Sequence, residues 1–223
     1  RLYDAPSDRI ALVPCGVDLS RFRPLDQSQA RQHLGINGEK VFLYVGRIES
    51  LKGVDLLLET TAHLDVSQEV KVLVVGGDDG RGHEVLRLKQ RAKELDIDGI
   101  VEFVGRVDQD QLPIYYSAAD VCVVPSFYES FGLAALESMA CGTPVVAYRV
   151  GGLPTIIKHG STGYLKSWRC PEAFANSLEM ITSSNSLIES MGQASRERAE
   201  TMGWDRVAFT LSEHYKYLAR EMV

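Results

Sequence analysis

The 223-residue sequence predicts an α/β fold, a doubly wound, Rossmann-like parallel sheet. Three observations carry that expectation. Short apolar runs recur at 41–45 (VFLYV), 70–75 (VKVLVV), 101–104 (VEFV), 121–124 (VCVV) and 145–147 (VVA), as buried strands require. Between them lie stretches with apolar residues at helical spacing. Glycines sit where the runs end, at 46, 76–77, 105 and 151–152. Strand and helix alternate throughout, which is the pattern of parallel strands joined by crossovers. No internal repeat or low-complexity segment interrupts it.

Taken in order, Ile10, Ala11, Leu12 and Val13 read as a short strand. Pro14 and Gly16 make a turn after it, and Arg21-Phe22-Arg23-Pro24 follows. Residues 27–34 read as a short helix ended by Gly35. The 41–45 strand runs into Gly46-Arg47-Ile48-Glu49-Ser50-Leu51-Lys52-Gly53. A helix follows, with Val54, Leu57, Leu58, Thr61, Ala62 and Leu64 on its apolar face. The 70–75 strand leads to Gly76-Gly77-Asp78-Asp79-Gly80. That is not G-x-G-x-x-G, so there is no dinucleotide fingerprint; a tight turn is expected, then a helix from about 82 to 95.

The 101–104 strand ends at Gly105-Arg106-Val107. Asp108-Gln109-Asp110 matches a D-x-D metal pattern formally, but Asp108 stands before a helix expected to begin near Gln109. It reads as an N-cap, with Asp110 in the first turn. Leu112, Tyr115, Tyr116 and Ala119 line that helix. Pro125 and Ser126 stop the 121–124 strand, 127–131 (FYESF) form a loop, and Gly132 opens a helix. Leu133, Leu136 and Ala140 give it an apolar face, and Gly142 and Pro144 end it. Gly151 and Gly152 either let the backbone approach a ligand closely or are plain turn glycines. Stretches 171–181, 186–201 and 204–221 read as helices, the last amphipathic through Trp204, Phe209, Leu211 and Tyr215.

Two places carry chemistry. A glycine-bearing loop between strand and helix is a ready anion site, because backbone N–H groups and the helix dipole point at the ligand. Arg47 and Lys52 add two cations there and point to a diphosphate; otherwise they are surface charges paired with Glu49 or Asp55. The second place holds Glu129 and Glu137. Eight residues on one helix rotate by about 80°, so the two carboxylates would not line up on a single helix. With Glu129 on the loop and Glu137 inside the helix, both face one crevice. In open parallel sheets ligands bind at such a crevice. The alternative is that Glu129 caps the helix and Glu137 is solvated.

Composition narrows the class. A net charge of −6 without a basic cluster argues against nucleic-acid binding. Cys15, Cys122, Cys141 and Cys170 are scattered with no C-x-x-C pair, which fits buried thiols in a reducing, cytoplasmic setting rather than disulfides or metal. No apolar run reaches the length of a membrane span, and no signal peptide is visible. His33, His63, His83, His159 and His214 lie away from the crevice. The chain opens on Arg1 without Met, as a fragment of a longer protein would.

The setting of the two glutamates, E-S-F-G-L-x-x-L-E-x-M-A-C-G-T-P-V-V, resembles the donor-site signature of retaining glycosyltransferases of the GT-B fold, specifically glycosyltransferase family 4 (group 1). The resemblance covers nearly the whole chain but only the family's C-terminal half. It implies that residues 1–24 are a linker and entry strand from an N-terminal acceptor domain, and that 25–223 form the nucleotide-sugar donor-binding domain. In the family's linker an Asn precedes the glycine; here Cys15 takes that place, so an Asn role is not carried over.

The resemblance also implies roles. Gly46, Arg47, Lys52 and Gly53 grip the donor diphosphate, with Arg47, Lys52 and Glu129 as the catalytic set. Arg106 and Val107 meet the nucleobase through their backbone. Glu129, with Ser130, Phe131, Gly132 and Leu133, meets the sugar and phosphates, and Glu137 meets the ribose. No metal or other cofactor is expected. The expected function is the donor half of an enzyme moving a hexose from a nucleoside diphosphate sugar to an acceptor, inactive by itself. The alternative is a non-catalytic nucleotide-sugar-binding module on the same fold. An epimerase on that scaffold has different motifs.

Overall fold

Alternate residues of each central strand go to opposite sides of one sheet in the computed structural model, which describes residues 10–65, 69–77 and 82–221. Val41 and Leu43 enter one apolar cluster, Phe42 and Tyr44 the other. Cys122 and Val124 split in the same way from Val121 and Val123. Both faces are therefore buried, which is why these strands read as continuous apolar runs instead of alternating ones.

The strands are β1 (Lys40–Val45), β2 (Val70–Val75), β3 (Val101–Gly105), β4 (Val121–Val124), β5 (Val145–Tyr148) and β6 (Gly163–Lys166). They form a six-stranded sheet in the order β3-β2-β1-β4-β5-β6. Every pairing is parallel. Phe42 lies opposite both Val72 and Val121, which fixes the central register. The order runs one way from β1 to β3 and the other from β4 to β6. The helices that follow β1 and β4, Val54–Ala62 and Leu133–Ala140, accordingly lie on opposite faces, and such a reversal is where open parallel sheets bind ligands.

The helices are α1 (Gln27–His33), α2 (Val54–Ala62), α3 (His83–Glu94), α4 (Leu112–Ala118), α5 (Leu133–Ala140), α6 (Leu153–Ile156), α7 (Pro171–Thr182), α8 (Asn185–Glu200) and α9 (Trp204–Glu221). Leu57, Leu58, Leu88, Phe174 and Leu178 bring α2, α3 and α7 onto one face. Ala30, Tyr116, Leu136, Met139 and Ala199 bring α1, α4, α5 and α8 onto the other. Asp26 caps α1 by accepting from the Gln29 N–H at 2.8 Å.

Three expectations are corrected. Residues 10–13 are not a strand: they pair with no strand among the described residues, and Ile10 and Leu12 are exposed. Asp108 is not an N-cap. Its carbonyl accepts from the Gln111 N–H in a separate turn, and α4 starts at Leu112, where Pro113 suits the first turn. Leu133 is not on the buried face of α5: it is 47% exposed, and Ala135, Leu136, Met139 and Ala140 supply the core contact. A short helix not anticipated from the sequence, Leu153–Ile156, follows Gly152, with Pro154 in its first turn. Asp78, Asp79 and Gly80 of the expected glycine turn lie outside the described residues.

The stretch before α1 is stitched to the body. Val17 donates to the Met202 carbonyl at 3.0 Å and accepts from the Trp204 N–H at 3.2 Å. Phe22 is buried edge-on against Tyr116. The α9 helix continues outward, with Trp204, Phe209 and Tyr215 exposed.

Candidate functional site

The loops after β1, β4 and β5 interlock at the carboxyl end of the sheet. Gly53 ends the 50–52 turn with φ 73° and caps α2. A Cβ on it would overlap the Pro125 carbonyl, so only glycine lets the β1 loop touch the β4 loop. The Phe127 N–H then donates to the Leu51 carbonyl at 2.8 Å. From the other side, Gly151 and Gly152 press on the 129–131 backbone. A Cβ on Gly151 would overlap the Glu129 carbonyl, and the Gly152 N–H donates to that carbonyl at 3.2 Å. The close approach these two glycines allow is to the protein's own loop.

This packing brings Lys52 and Glu129 together. The Lys52 ammonium is 2.8 Å from the Glu129 carboxylate, and the two side chains are only 20% and 15% exposed. Lys52 makes neither pairing open to it as a surface charge: Asp55 is bound by Arg87 and Glu49 by Arg47, each at 2.6 Å. Arg47 does follow the surface pattern. Its guanidinium meets Glu49 at 2.6 Å and its side chain is 74% exposed. Below this loop the Tyr44 hydroxyl donates to the Arg47 carbonyl at 2.7 Å. It also lies 2.9 Å from where a Cβ on Gly46 would stand. Burial and the charges of Glu129 and Glu49 push the Tyr44 hydroxyl well up, so it stays a donor.

Gly132 caps α5 with φ 107° and no side chain caps that N-terminus. Ser130 is exposed and Phe131 half-buried against the core. Inside α5, Glu137 accepts from the Tyr116 hydroxyl at 2.9 Å. Burial raises the Glu137 carboxyl to about 7, against the opposing pull of the Tyr116 hydrogen bond and the Arg21 charge. Glu137, Leu133, Gln109, Arg21, Trp204 and Phe209 line a cavity of about 1130 Å³. Lys52 and Glu129 are not among that cavity's lining residues. Arg106 is exposed beyond β3, and Val107 packs partly on the core.

Three participants were not singled out from the sequence. Arg21 reaches from the entry segment to Asp110 at 2.9 Å and Gln109 at 2.9 Å. Tyr116 read only as an apolar helix residue. Arg169 lies over the Phe127 ring, with its guanidinium carbon 4.1 Å from the centroid. Only Arg21 had a local signal, the Arg21-Phe22-Arg23 run, and it gave no direction. Among the described residues, no group of three or more His, Cys, Asp or Glu is placed to hold a metal ion. Nor is any described helix long and apolar enough to cross a membrane.

Comparison with known proteins places this chain in a family. Residues 26–198 match the family of glycosyl transferases group 1. The D-inositol 3-phosphate glycosyltransferase 2 of Catenulispora acidiphila is 41% identical over 222 residues, covering 96% of this chain and 52% of that protein. This chain thus spans about half the length of the relatives it matches. The sucrose-phosphate synthase structure from Thermosynechococcus elongatus superposes with a TM-score of 0.86 at 36% identity, over 95% of this chain and 53% of that one. The C-terminal domain of a group 1 glycosyl transferase (LpcC) from Francisella tularensis superposes with a TM-score of 0.73 at 28% identity, over 83% of this chain and 97% of that one. The fold is the Rossmann-like C-terminal half of a GT-B glycosyltransferase, and the chain belongs to the glycosyl transferases group 1 family.

Proposed function

We propose that this chain is the donor half of a retaining glycosyltransferase, binding a nucleoside diphosphate hexose whose sugar passes to an acceptor held by another part of the full protein. One observation carries the reading. A half-buried cation and anion, Lys52 and Glu129, stand 2.8 Å apart on loops from the two strands where the sheet order reverses. That is the crevice where open parallel sheets bind ligands. The names of the relatives support sugar transfer as the reaction class.

Breaking the anomeric carbon–oxygen bond leaves negative charge on the departing diphosphate. Lys52 and the uncapped N-terminus of α5 offset that charge, and Arg47 joins them by leaving Glu49. Glu129 accepts hydrogen bonds from sugar hydroxyls, and Glu137 accepts from the ribose. The backbone near Arg106 and Val107 meets the base. The reading includes no metal: Asp110 of the D-x-D stretch is engaged by Arg21. It also places the protein in the cytoplasm, in keeping with the buried thiols of Cys122 and Cys141.

The test is a thermal-shift panel of UDP-, ADP- and GDP-glucose, each with and without a chelator. A binder at a hundred times its Kd stabilises by about 2.7 kcal/mol. One nucleotide series should raise the melting temperature, equally with chelator present. No shift with any of them overturns the donor-site reading. A shift lost on chelation overturns its metal-free form. Absence of transfer by the full-length protein would favour a binding module.

A further inference from the structure

We propose that Arg169 is a positioning residue for Glu129, acting through the ring of Phe127; the inference rests on the donor-site reading above. Arg169 follows β6 and is exposed. Its guanidinium carbon stands 4.1 Å from the Phe127 centroid and 5.7 Å from that of Tyr148. The Arg149 N–H donates to the Lys166 carbonyl at 2.8 Å, extending the β5–β6 ladder and holding Tyr148 beside the segment that carries Arg169.

Lys52, Arg87, Arg91 and Arg196 each meet a carboxylate. No ion pair engages Arg169 among the described residues; its cation is committed to two aromatic faces, an attraction set by the ring quadrupole. The ring it covers matters for the site. Phe127 lies two residues before Glu129, and its N–H holds the Leu51 carbonyl, one residue before Lys52. Phe127 is thus the peg at which the Lys52 and Glu129 loops meet. Gly151 and Gly152 press the same loop from its other side. Pinning the ring fixes the direction in which residues 128–131 leave it, and with it the reach of the Glu129 carboxylate.

The experiment compares calorimetric affinities of wild type, Arg169→Ala, Arg169→Lys, Phe127→Leu and the Arg169→Ala/Phe127→Leu double variant. The probes are the best binder among UDP-, ADP- and GDP-glucose and its bare nucleoside diphosphate. The quantity read is the ratio of the two affinities, which isolates the sugar's share. Exposed cation–π contacts contribute about a two- to fivefold effect. Arg169→Ala should lower the ratio by that factor, with bare diphosphate affinity and melting temperature nearly unchanged. Arg169→Lys should restore part of it. Phe127→Leu should lower the ratio, and the double variant should fall no further than Phe127→Leu alone. Amide exchange in 125–132 should quicken in Arg169→Ala. A wild-type ratio above one that survives Arg169→Ala overturns this inference alone, as do losses that multiply in the double variant. A wild-type ratio of one overturns the donor-site reading and this inference together.

Discussion

The Lys52 ammonium and the Glu129 carboxylate, 77 residues apart in sequence, meet at 2.8 Å across the line where the strand order reverses. Each is the other's partner in the free protein. Both are largely covered, so neither can lose its partner without replacement. A sugar diphosphate supplies both replacements at once, a phosphate for the cation and hydroxyl donors for the anion.

Lys52→Ala should weaken binding of a nucleoside diphosphate by about 1.5–3 kcal/mol, the usual scale for a hydrogen bond to a charged group. It also strands Glu129 without its cation, so some loss of stability accompanies it. Calorimetry on Lys52→Ala and Lys52→Ala/Glu129→Ala separates the two effects. Unchanged diphosphate affinity in both variants removes Lys52 from the site.

Glu129→Ala and Glu137→Ala should differ in kind. Removing Glu129 frees Lys52 for phosphate, so bare diphosphate should bind as well as before or better. The increment due to the sugar, about 1–2 kcal/mol, should vanish. Glu137→Ala should weaken bare diphosphate and sugar diphosphate alike. Equal weakening of the bare nucleotide by both variants contradicts this division between sugar and ribose.

Glu137 predicts a pH dependence of stability. Its carboxyl is raised to about 7 when folded, against an ordinary value near 4.3 when unfolded. Between those values the folded state keeps a proton that the unfolded chain has released. Stability therefore falls as pH rises through that window, by about 3–4 kcal/mol in all. Glu137→Gln keeps an acceptor for the Tyr116 hydroxyl and abolishes the fall. Urea unfolding at pH 5 and pH 8 should show the variant near wild type at the lower pH and more stable at the higher. Parallel behaviour at both would show that Glu137 does not titrate there.

Gly151→Ala should cost stability and sugar affinity together. Its φ of 51° strains a side-chain-bearing residue, and the new methyl meets the Glu129 carbonyl. A loss of about 2 kcal/mol or more is expected. Gly160→Ala is the control: a positive φ but open space around the added methyl. If the two cost the same, the contact with the Glu129 loop is not what matters.

The sheet was legible because burial on both faces leaves a local signature, an unbroken apolar run such as Val121–Val124. The crevice was read from the loops after the 41–45 and 121–124 runs, and the strand order, which sequence did not supply, sets those two strands side by side. Two misreadings have different causes. Ile10–Val13 is apolar, as a strand would be, yet a strand needs a neighbour, and sequence does not say whether one is there. Asp108 is a good cap, but Pro113 marks where α4 starts. The partner of Lys52 was not legible at all. Asp55 is three residues away and Glu129 is 77, and the close approach of Gly53 to the Pro125 carbonyl, which leaves no room for a side chain, brings the distant partner near. Arg169 escaped for the same reason, since its partners are ring faces in other elements.

The bridge between Val17 and Gly203 has a mechanical consequence. The chain enters and leaves the folded body at one spot, held by the two hydrogen bonds that Val17 makes. The two stretches run parallel, so tension applied across residues 16 and 204 loads both bonds together, in shear. The six-stranded ladder lies outside the line of force. A pull that swings α9 away from the entry segment can therefore yield at this seam while the crevice between β1 and β4 keeps its shape.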